Sequence, residues 1–334
     1  MDRIPDKAIW VRFPRFIGDG IMIHRALEPL RAVNSVLVAW GPAQVMELFQ
    51  GTSYFAATVA DPPTKQSAWA MASLLKAHRP LGVLSLLRSQ RANLAALLAG
   101  VPLRVGWREG MGRLICSHSL SFKSLAGHQQ DRYAKVLNKA FPDLPIAPFV
   151  PFCPRSGAQA VADALLADVP APFVVFSLGA MSSSKRLGGK VWIALGELIL
   201  KLGWSLVLLG STLDDQASAK AISAALSPVH DLTGKTSLAV AAGIMRKSMG
   251  LFGNDSALSH LAAACAVPTI VAFGPTEANM TAPRGAWVRV VRREELSCLG
   301  CQEGVCPIPG HPCMEDLRPE ELLVALEAAR LSVS

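Results

Sequence analysis

The chain has 334 residues, 51% of them hydrophobic and only 6% aromatic, with a formal net charge of +8. That length suits two domains, each long enough to bury its own core, and the aliphatic composition excludes a disordered or fibrous chain. The excess charge sits in one half: 18 Lys and Arg oppose 9 Asp and Glu in residues 1–150, whereas 15 oppose 16 in 151–334. A basic first half attracts nucleic acid, an anionic membrane surface or a phosphorylated substrate, and charge alone does not choose among them.

The opening MDRIPDKAIWVRF places charges and a proline where a secretory signal needs an apolar run, so a cytoplasmic location is expected. Short apolar runs then alternate with amphipathic stretches. Residues 8–13, 35–40, 57–60 and 82–86 read as strands, and 20–33, 66–77 and 90–99 as helices. After residue 150, strands are predicted at 173–178, 205–210, 249–252 and 269–273, and helices at 190–202, 214–226, 237–247 and 256–265. The alternation predicts an α/β fold of two Rossmann-like domains, with parallel sheets wrapped by helices and a central cleft between them. Runs such as FVVFSL and SLVLLG are apolar on both faces, as a covered parallel sheet requires. The uncharged stretch 256–276 contains His260, Pro268, Gly274 and Pro275 and reads as helix, turn and strand rather than as a membrane span.

Five prolines crowd residues 141–157 and can continue neither a helix nor a central strand. The expected organisation is a basic N-terminal domain over 1–150, a linker region over 151–171, a second domain over 172–317, and a C-terminal helix over 318–334 packing back on the first domain.

Three segments carry polar groups where a strand gives way to a helix. The first is Arg12-Phe13-Pro14-Arg15-Phe16-Ile17-Gly18-Asp19-Gly20, in which Asp19 is either a helix N-cap or a carboxylate facing a ligand. The second runs from Ser177 through Gly179 and Ser182-Ser183-Ser184 to Lys185-Arg186. Its small residues allow close backbone approach, and its hydroxyls and Lys185 suit phosphate oxygens; a solvated serine-rich loop is the alternative. The third is Gly253-Asn254-Asp255-Ser256-Ala257-Leu258-Ser259-His260, where free N–H groups at a helix start favour an anion. Read without function, Asp255 or Ser256 is an ordinary cap and His260 a core histidine. Separately, Cys298, Cys301, Cys306 and Cys313 follow the pattern C-x2-C-x4-C-x6-C in a loop rich in Gly and Pro. This suits a structural zinc or iron site of four thiolates, or else four reduced thiols.

Taken together, these segments resemble the bacterial ADP-heptose:lipopolysaccharide heptosyltransferases, family-9 glycosyltransferases of GT-B fold. The likeness rests on Asp19 with Ala26-Leu27 and Leu30-Arg31, on LTGKTSL at 232–238, on GNDSALSHLAAACAVPTIVAFGPTEANMTAP from Gly253, and on the tail ending Cys313-Met314. It is strongest over 172–316 and clear over 8–31. The resemblance implies an inverting transfer of heptose from an ADP-sugar to an anionic lipopolysaccharide-core acceptor, with no cofactor needed for catalysis. It implies Asp19 as catalytic base and Ser177, Gly179, Lys185, Thr233, Lys235, Asp255, Ser256, Ala257 and His260 as donor-binding residues. The basic first half puts Arg12 and Arg15 forward for the acceptor and suggests peripheral contact with the inner face of the cytoplasmic membrane; nucleic acid is not expected as a partner. Some relatives in the branch that glycosylates autotransporters hold iron through cysteines. The chain departs from the family pattern at Leu187-Gly188, where Trp-Pro is common, at Ala257, where Gly is common, and at Gly20. Another nucleotide-sugar, a protein acceptor, or a non-catalytic nucleotide-sugar-binding protein are the alternatives.

Overall fold

In the computed structural model, residues 4–5, 7–62 and 67–332 are described; Gln66, which opens one of the predicted helices, lies outside them. The chain divides into two compact units, Met1–Val150 and Pro151–Ser334. Each unit is built on one six-stranded, all-parallel sheet.

The first unit contains β1 (Ile9–Arg12), α1 (Ile17–Ala26), α2 (Glu28–Ala32), β2 (Leu37–Gly41), α3 (Ala43–Phe49), β3 (Ala57–Ala60), α4 (Ala68–His78), β4 (Gly82–Ser85), α5 (Arg91–Leu98), β5 (Leu103–Trp107), α6 (Gly112–Ile115), β6 (His118–Leu120) and α7 (Gln129–Ala140). The strand order is β3-β2-β1-β4-β5-β6, so the order reverses between β1 and β4. The predicted helix over 20–33 is two helices. It starts three residues earlier, at Ile17, and breaks at Leu27 ahead of Pro29. Pro29 lacks an N–H to continue the ladder and fits the first turn of a new helix. Trp10 and Trp40 are fully buried and meet edge to face at 5.9 Å.

The second unit contains α8 (Ser156–Leu165), β7 (Phe173–Ser177), a 3-10 turn (Ser183–Lys185), α9 (Gly189–Lys201), β8 (Ser205–Leu209), α10 (Leu213–Ala225), β9 (Val229–Asp231), α11 (Leu238–Lys247), β10 (Leu251–Asn254), α12 (Ala257–Ala264), β11 (Thr269–Ala272), α13 (Ala278–Thr281), β12 (Val288–Val291), α14 (Pro312–Glu315) and α15 (Pro319–Arg330). Its strand order, β12-β11-β10-β7-β8-β9, reverses between β7 and β10. Every residue of β7 and β8 is buried, which the continuous apolar runs foretold. A core of Phe176, Trp192, Leu195, Leu206, Leu208 and Phe252 fills one face. Each such side chain, fully buried, contributes on the order of 1.5–3 kcal/mol.

Two expectations are corrected here. Within the predicted linker region 151–171, Ser156–Leu165 form α8, whose buried Ala158 and Ala162 lie against α11; Ala162 comes close enough to Gly243 to leave no room there for a side chain. The C-terminal helix α15 packs on α9, β11 and β12 of its own unit, because Leu322, Leu326 and Ala329 on one stripe belong to that unit's core. Among the described residues, no helix is long and apolar enough to cross a membrane.

Candidate functional site

In open parallel sheets, ligands bind beyond the carboxyl ends of strands, where the strand order reverses. The first unit carries one of the three predicted segments at that point, and the second unit carries two, after β7 and after β10.

In the first unit, β1 runs directly into α1. Asp19 falls in the first turn of α1, whose N-cap position is Phe16, so Asp19 is not a capping side chain. Among the described residues its carboxyl has no hydrogen bond or ion pair. Burial raises its pKa above the usual aspartate value, because a carboxylate loses water there without gaining a donor. The Tyr133 phenol on α7 is also pushed up, first by burial and then by the charge of Asp19. Gly20 has only ordinary van der Waals neighbours, Phe13 and Val45 at 3.6 Å, so packing does not demand a glycine there. Arg12 is committed elsewhere: its fork grips both Asp61 oxygens at 2.6 and 2.7 Å and lies over Trp40. Arg15 is exposed and stacks on Phe16 at 4.6 Å.

In the second unit, β7 and β10 pair side by side, Ser177 opposite Gly253. The loops after them therefore meet. Lys185 Nζ donates to Asp255 Oδ2 at 2.6 Å, and Thr276 Oγ1, beyond β11, donates to the same oxygen at 2.8 Å. Ser256 is the N-cap residue of α12, but its hydroxyl makes no cap hydrogen bond and has no protein partner. Ala257 follows as the first helical residue, and His260 is buried one turn later. Ser177 is fully buried with its hydroxyl unpartnered. Gly179 lies where a Cβ would come within 3.0 Å of Asp215. Thr233 is turned to Asp231, its N–H and hydroxyl both donating to Oδ1 at 2.9 and 2.7 Å, and Lys235 Nζ donates to the Asp231 carbonyl.

Several working residues escaped the sequence reading. Asn254, fully buried, accepts from Leu187 N and donates to the Leu178 carbonyl, both at 2.9 Å, and so binds the lysine loop to two strand ends. Arg186 faces Asp214 and Asp215 at 3.4 and 3.2 Å. The Ser183 and Ser184 hydroxyls, expected to meet phosphate, instead donate to the carbonyls of Gly304 and Glu303 in the cysteine-rich loop. His311 Nε2 lies 2.8 Å from the Ser184 carbonyl. No sequence pattern links residues some 120 positions apart; only Asn254, a polar residue ending an apolar strand, carried a usable signal.

Cys298, Cys301, Cys306 and Cys313 line one cavity of about 40 Å³ together with His311. Burial, then the neighbouring Cys306, Cys298 and Cys301, push the Cys313 thiol up to about 11. The four thiols thus share one small cavity, but among the described residues no group of three His, Cys, Asp or Glu side chains is placed to hold a metal ion.

Two parallel α/β units with loops of this kind at the switch points define the GT-B class of fold. A family model for glycosyltransferase family 9 (heptosyltransferase) matches residues 83–311, and the chain belongs to that family. It is 37% identical over 70 residues to lipooligosaccharide heptosyltransferase 2 of Campylobacter jejuni, covering 21% of this chain and 22% of that protein. It is 25% identical over 256 residues, 73% of each chain, to lipopolysaccharide heptosyltransferase 2 of Escherichia coli. The chain thus matches about a fifth of the length of the first of these and nearly three quarters of the second. The solved E. coli ADP-heptose heptosyltransferase II superposes with a TM-score of 0.80 at 23% identity over 97% of this chain and 98% of that one. An iron-containing dodecameric glycosyltransferase of enterotoxigenic E. coli gives 0.58 at 15% identity over 99% and 78%.

Proposed function

We propose that the protein is an inverting glycosyltransferase that moves a heptose from an ADP-sugar to an anionic lipopolysaccharide-core acceptor, working in the cytoplasm at the inner face of the membrane. The observation that carries this reading is the convergence of Lys185, Asp255, Thr276 and the open N-terminus of α12 at the second unit's switch point, in a chain of the heptosyltransferase family.

In the reaction, an acceptor hydroxyl attacks the anomeric carbon from the face opposite the diphosphate. The new C–O bond forms as the bond from the anomeric carbon to the diphosphate oxygen breaks, and ADP leaves. The hydroxyl proton passes to the Asp19 carboxylate, a step of a kind typically worth ~10²–10⁴-fold. Negative charge growing on the diphosphate is met by the Lys185 ammonium, the Ser256 hydroxyl and the free N–H groups of α12. None of these steps calls for a metal or an organic cofactor. The four cysteines would hold a zinc or iron ion away from the chemistry, since four protein sulfurs leave no open position; the ion would cross-link a loop rich in Gly and Pro.

Incubating the purified protein with ADP-heptose and a deacylated core acceptor tests the reading. Release of ADP with an inverted anomeric linkage, read by NMR, is the expected result. Absence of transfer with tight ADP-heptose binding would point instead to a non-catalytic binder, and transfer from another nucleotide-sugar would correct the donor.

A further inference from the structure

We infer that residues 300–304 of the cysteine-rich loop are a brace that positions the donor lysine, with Ser184 as the joint between the two; this rests on the reading of Lys185 as a ligand of the donor diphosphate. Within these five residues the chain hydrogen-bonds to both loops that build the Lys185–Asp255 pair. On one side the Gly300 N–H donates to the Gly274 carbonyl at 3.0 Å and the Gln302 N–H to the Pro275 carbonyl at 2.7 Å. The next residue, Thr276, donates to Asp255. On the other side the Glu303 carbonyl accepts from Ser184 Oγ at 2.6 Å. The Gly304 carbonyl accepts from the Ser184 N–H at 3.3 Å and from the Ser183 hydroxyl at 3.4 Å. The next residue there is Lys185. Gly300 and Gln302 both lie in the left-handed region, at φ of 77° and 63°, a conformation costly for glutamine. It lets so short a stretch turn N–H groups to one loop and carbonyls to the other.

Lys185 ends a single 3-10 turn, Ser183–Lys185, and a turn of that kind is weakly held by its own bonds. Keeping a lysine side chain in one conformation costs entropy, so its 2.6 Å bond to Asp255 depends on a backbone that stays in place. Ser184 is 2% exposed, and its N–H, hydroxyl and carbonyl are all engaged. The carbonyl faces His311 Nε2 at 2.8 Å, a contact that requires that nitrogen to carry its proton. On the other flank the Leu187 N–H donates to Asn254 Oδ1 at 2.9 Å. The lysine is thus pinned from both sides. Because the Ser184 hydroxyl is committed to a carbonyl, it acts on the diphosphate through Lys185 and not directly, which makes Ser184 a positioning residue.

Glu303 and Gly304 lie between Cys301 and Cys306, whose side chains line the one small cavity with Cys298 and Cys313. The brace is therefore anchored at both ends inside the cysteine cluster. That gives a loop more than a hundred residues from Lys185 a part in the donor site.

Two readouts test this on the full chain. The first is the rate at which a trace amine-acylating reagent labels Lys185, measured by mass spectrometry with Lys235 as internal reference. The second is ADP binding by calorimetry. Ser184→Ala should raise Lys185 labelling and weaken ADP binding, each by roughly two- to tenfold, the weight of one neutral hydrogen bond. In a Lys185→Ala background the same change should leave ADP affinity where Lys185→Ala alone had put it, because residues that act through one another are not additive. His311→Asn, which tolerates the left-handed backbone at that position (φ 44°) but is too short to reach the Ser184 carbonyl, should act in the same direction, and it decides alone should Ser184→Ala not fold. Unchanged Lys185 labelling overturns the brace. So does unchanged ADP affinity in a protein that needs Lys185, or an equal loss of ADP binding with and without Lys185. If Lys185→Ala itself binds ADP as the wild type does while labelling still rises in Ser184→Ala, the brace stands and the donor reading of Lys185 falls.

Discussion

Lys185 and Asp255, 70 residues apart, are joined at 2.6 Å with Thr276 closing on the same carboxylate oxygen. Their side chains are 23% and 9% exposed, so the pair lies at a rim rather than in the core. The ammonium is therefore held in place before any donor arrives, and the carboxylate that holds it also reduces the positive charge there.

Replacing Lys185 by Ala should weaken ADP-sugar binding by roughly ten- to a hundredfold, the value of a charged hydrogen bond of ~1.5–3 kcal/mol. The bare Asp255 left behind adds repulsion toward the diphosphate, so Lys185→Ala with Asp255→Asn should bind more tightly than Lys185→Ala alone. Calorimetry on the four proteins of the cycle checks this. Strictly additive effects would mean that the two groups do not act as a pair toward the donor.

Asp19→Asn should abolish transfer while leaving ADP binding within about twofold. In the wild type the rate should fall on the acid side through a pKa above the ordinary aspartate value, because burial raises that of Asp19. The same shift has a stability consequence. A carboxyl whose folded pKa is raised stabilises the fold below its unfolded pKa of ~3.9 and loses that contribution as pH rises through the folded value. At neutral pH the buried carboxylate thus opposes folding, and Asp19→Asn should melt no lower than wild type at pH 7, any gain vanishing near pH 3. A mutant that melts clearly lower at pH 7 would contradict the burial argument.

Asn254→Leu should destabilise the second unit by about 2–4 kcal/mol. It strands the Leu187 N–H and the Leu178 carbonyl, and each buried unsatisfied group costs roughly 1–3 kcal/mol. Chemical denaturation measures the loss. Donor affinity should fall as well, because Leu187 anchors the loop that carries Lys185; donor binding at wild-type strength in the folded variant would uncouple the two.

Freshly prepared, untagged protein should carry about one equivalent of zinc or iron by elemental analysis. Cys301→Ser should lower both the metal content and the melting temperature. Without metal the Cys313 thiol, pushed up to about 11, stays protonated at neutral pH, so metal uptake should release protons and weaken as the pH is lowered. Metal-free wild type with an unchanged melting temperature would leave the cysteines as plain thiols.

The sequence by itself determined the α/β class, the eight strands whose apolar runs are continuous, and the switch-point segments around Asp19 and Asp255, because apolar periodicity and strand-to-helix punctuation are local properties that single windows carry. Four strands were not legible. LRVGW, HSL and VHD interleave polar residues, and VRVV is only half buried; three of the four are sheet edges and the fourth lies beside one, where burial no longer enforces a run. The tertiary structure alone decided that Asp61 claims Arg12, that Asn254 and Thr276 serve the lysine loop, and that Ser183 and Ser184 hold the cysteine-rich loop. Each of these is a contact between segments from roughly 20 to 120 residues apart, set by parallel pairing of β1 with β2 and β2 with β3 in the first unit and of β7 with β10 and β10 with β11 in the second. Such pairing depends on which apolar strand fits beside which, and no single segment contains that information.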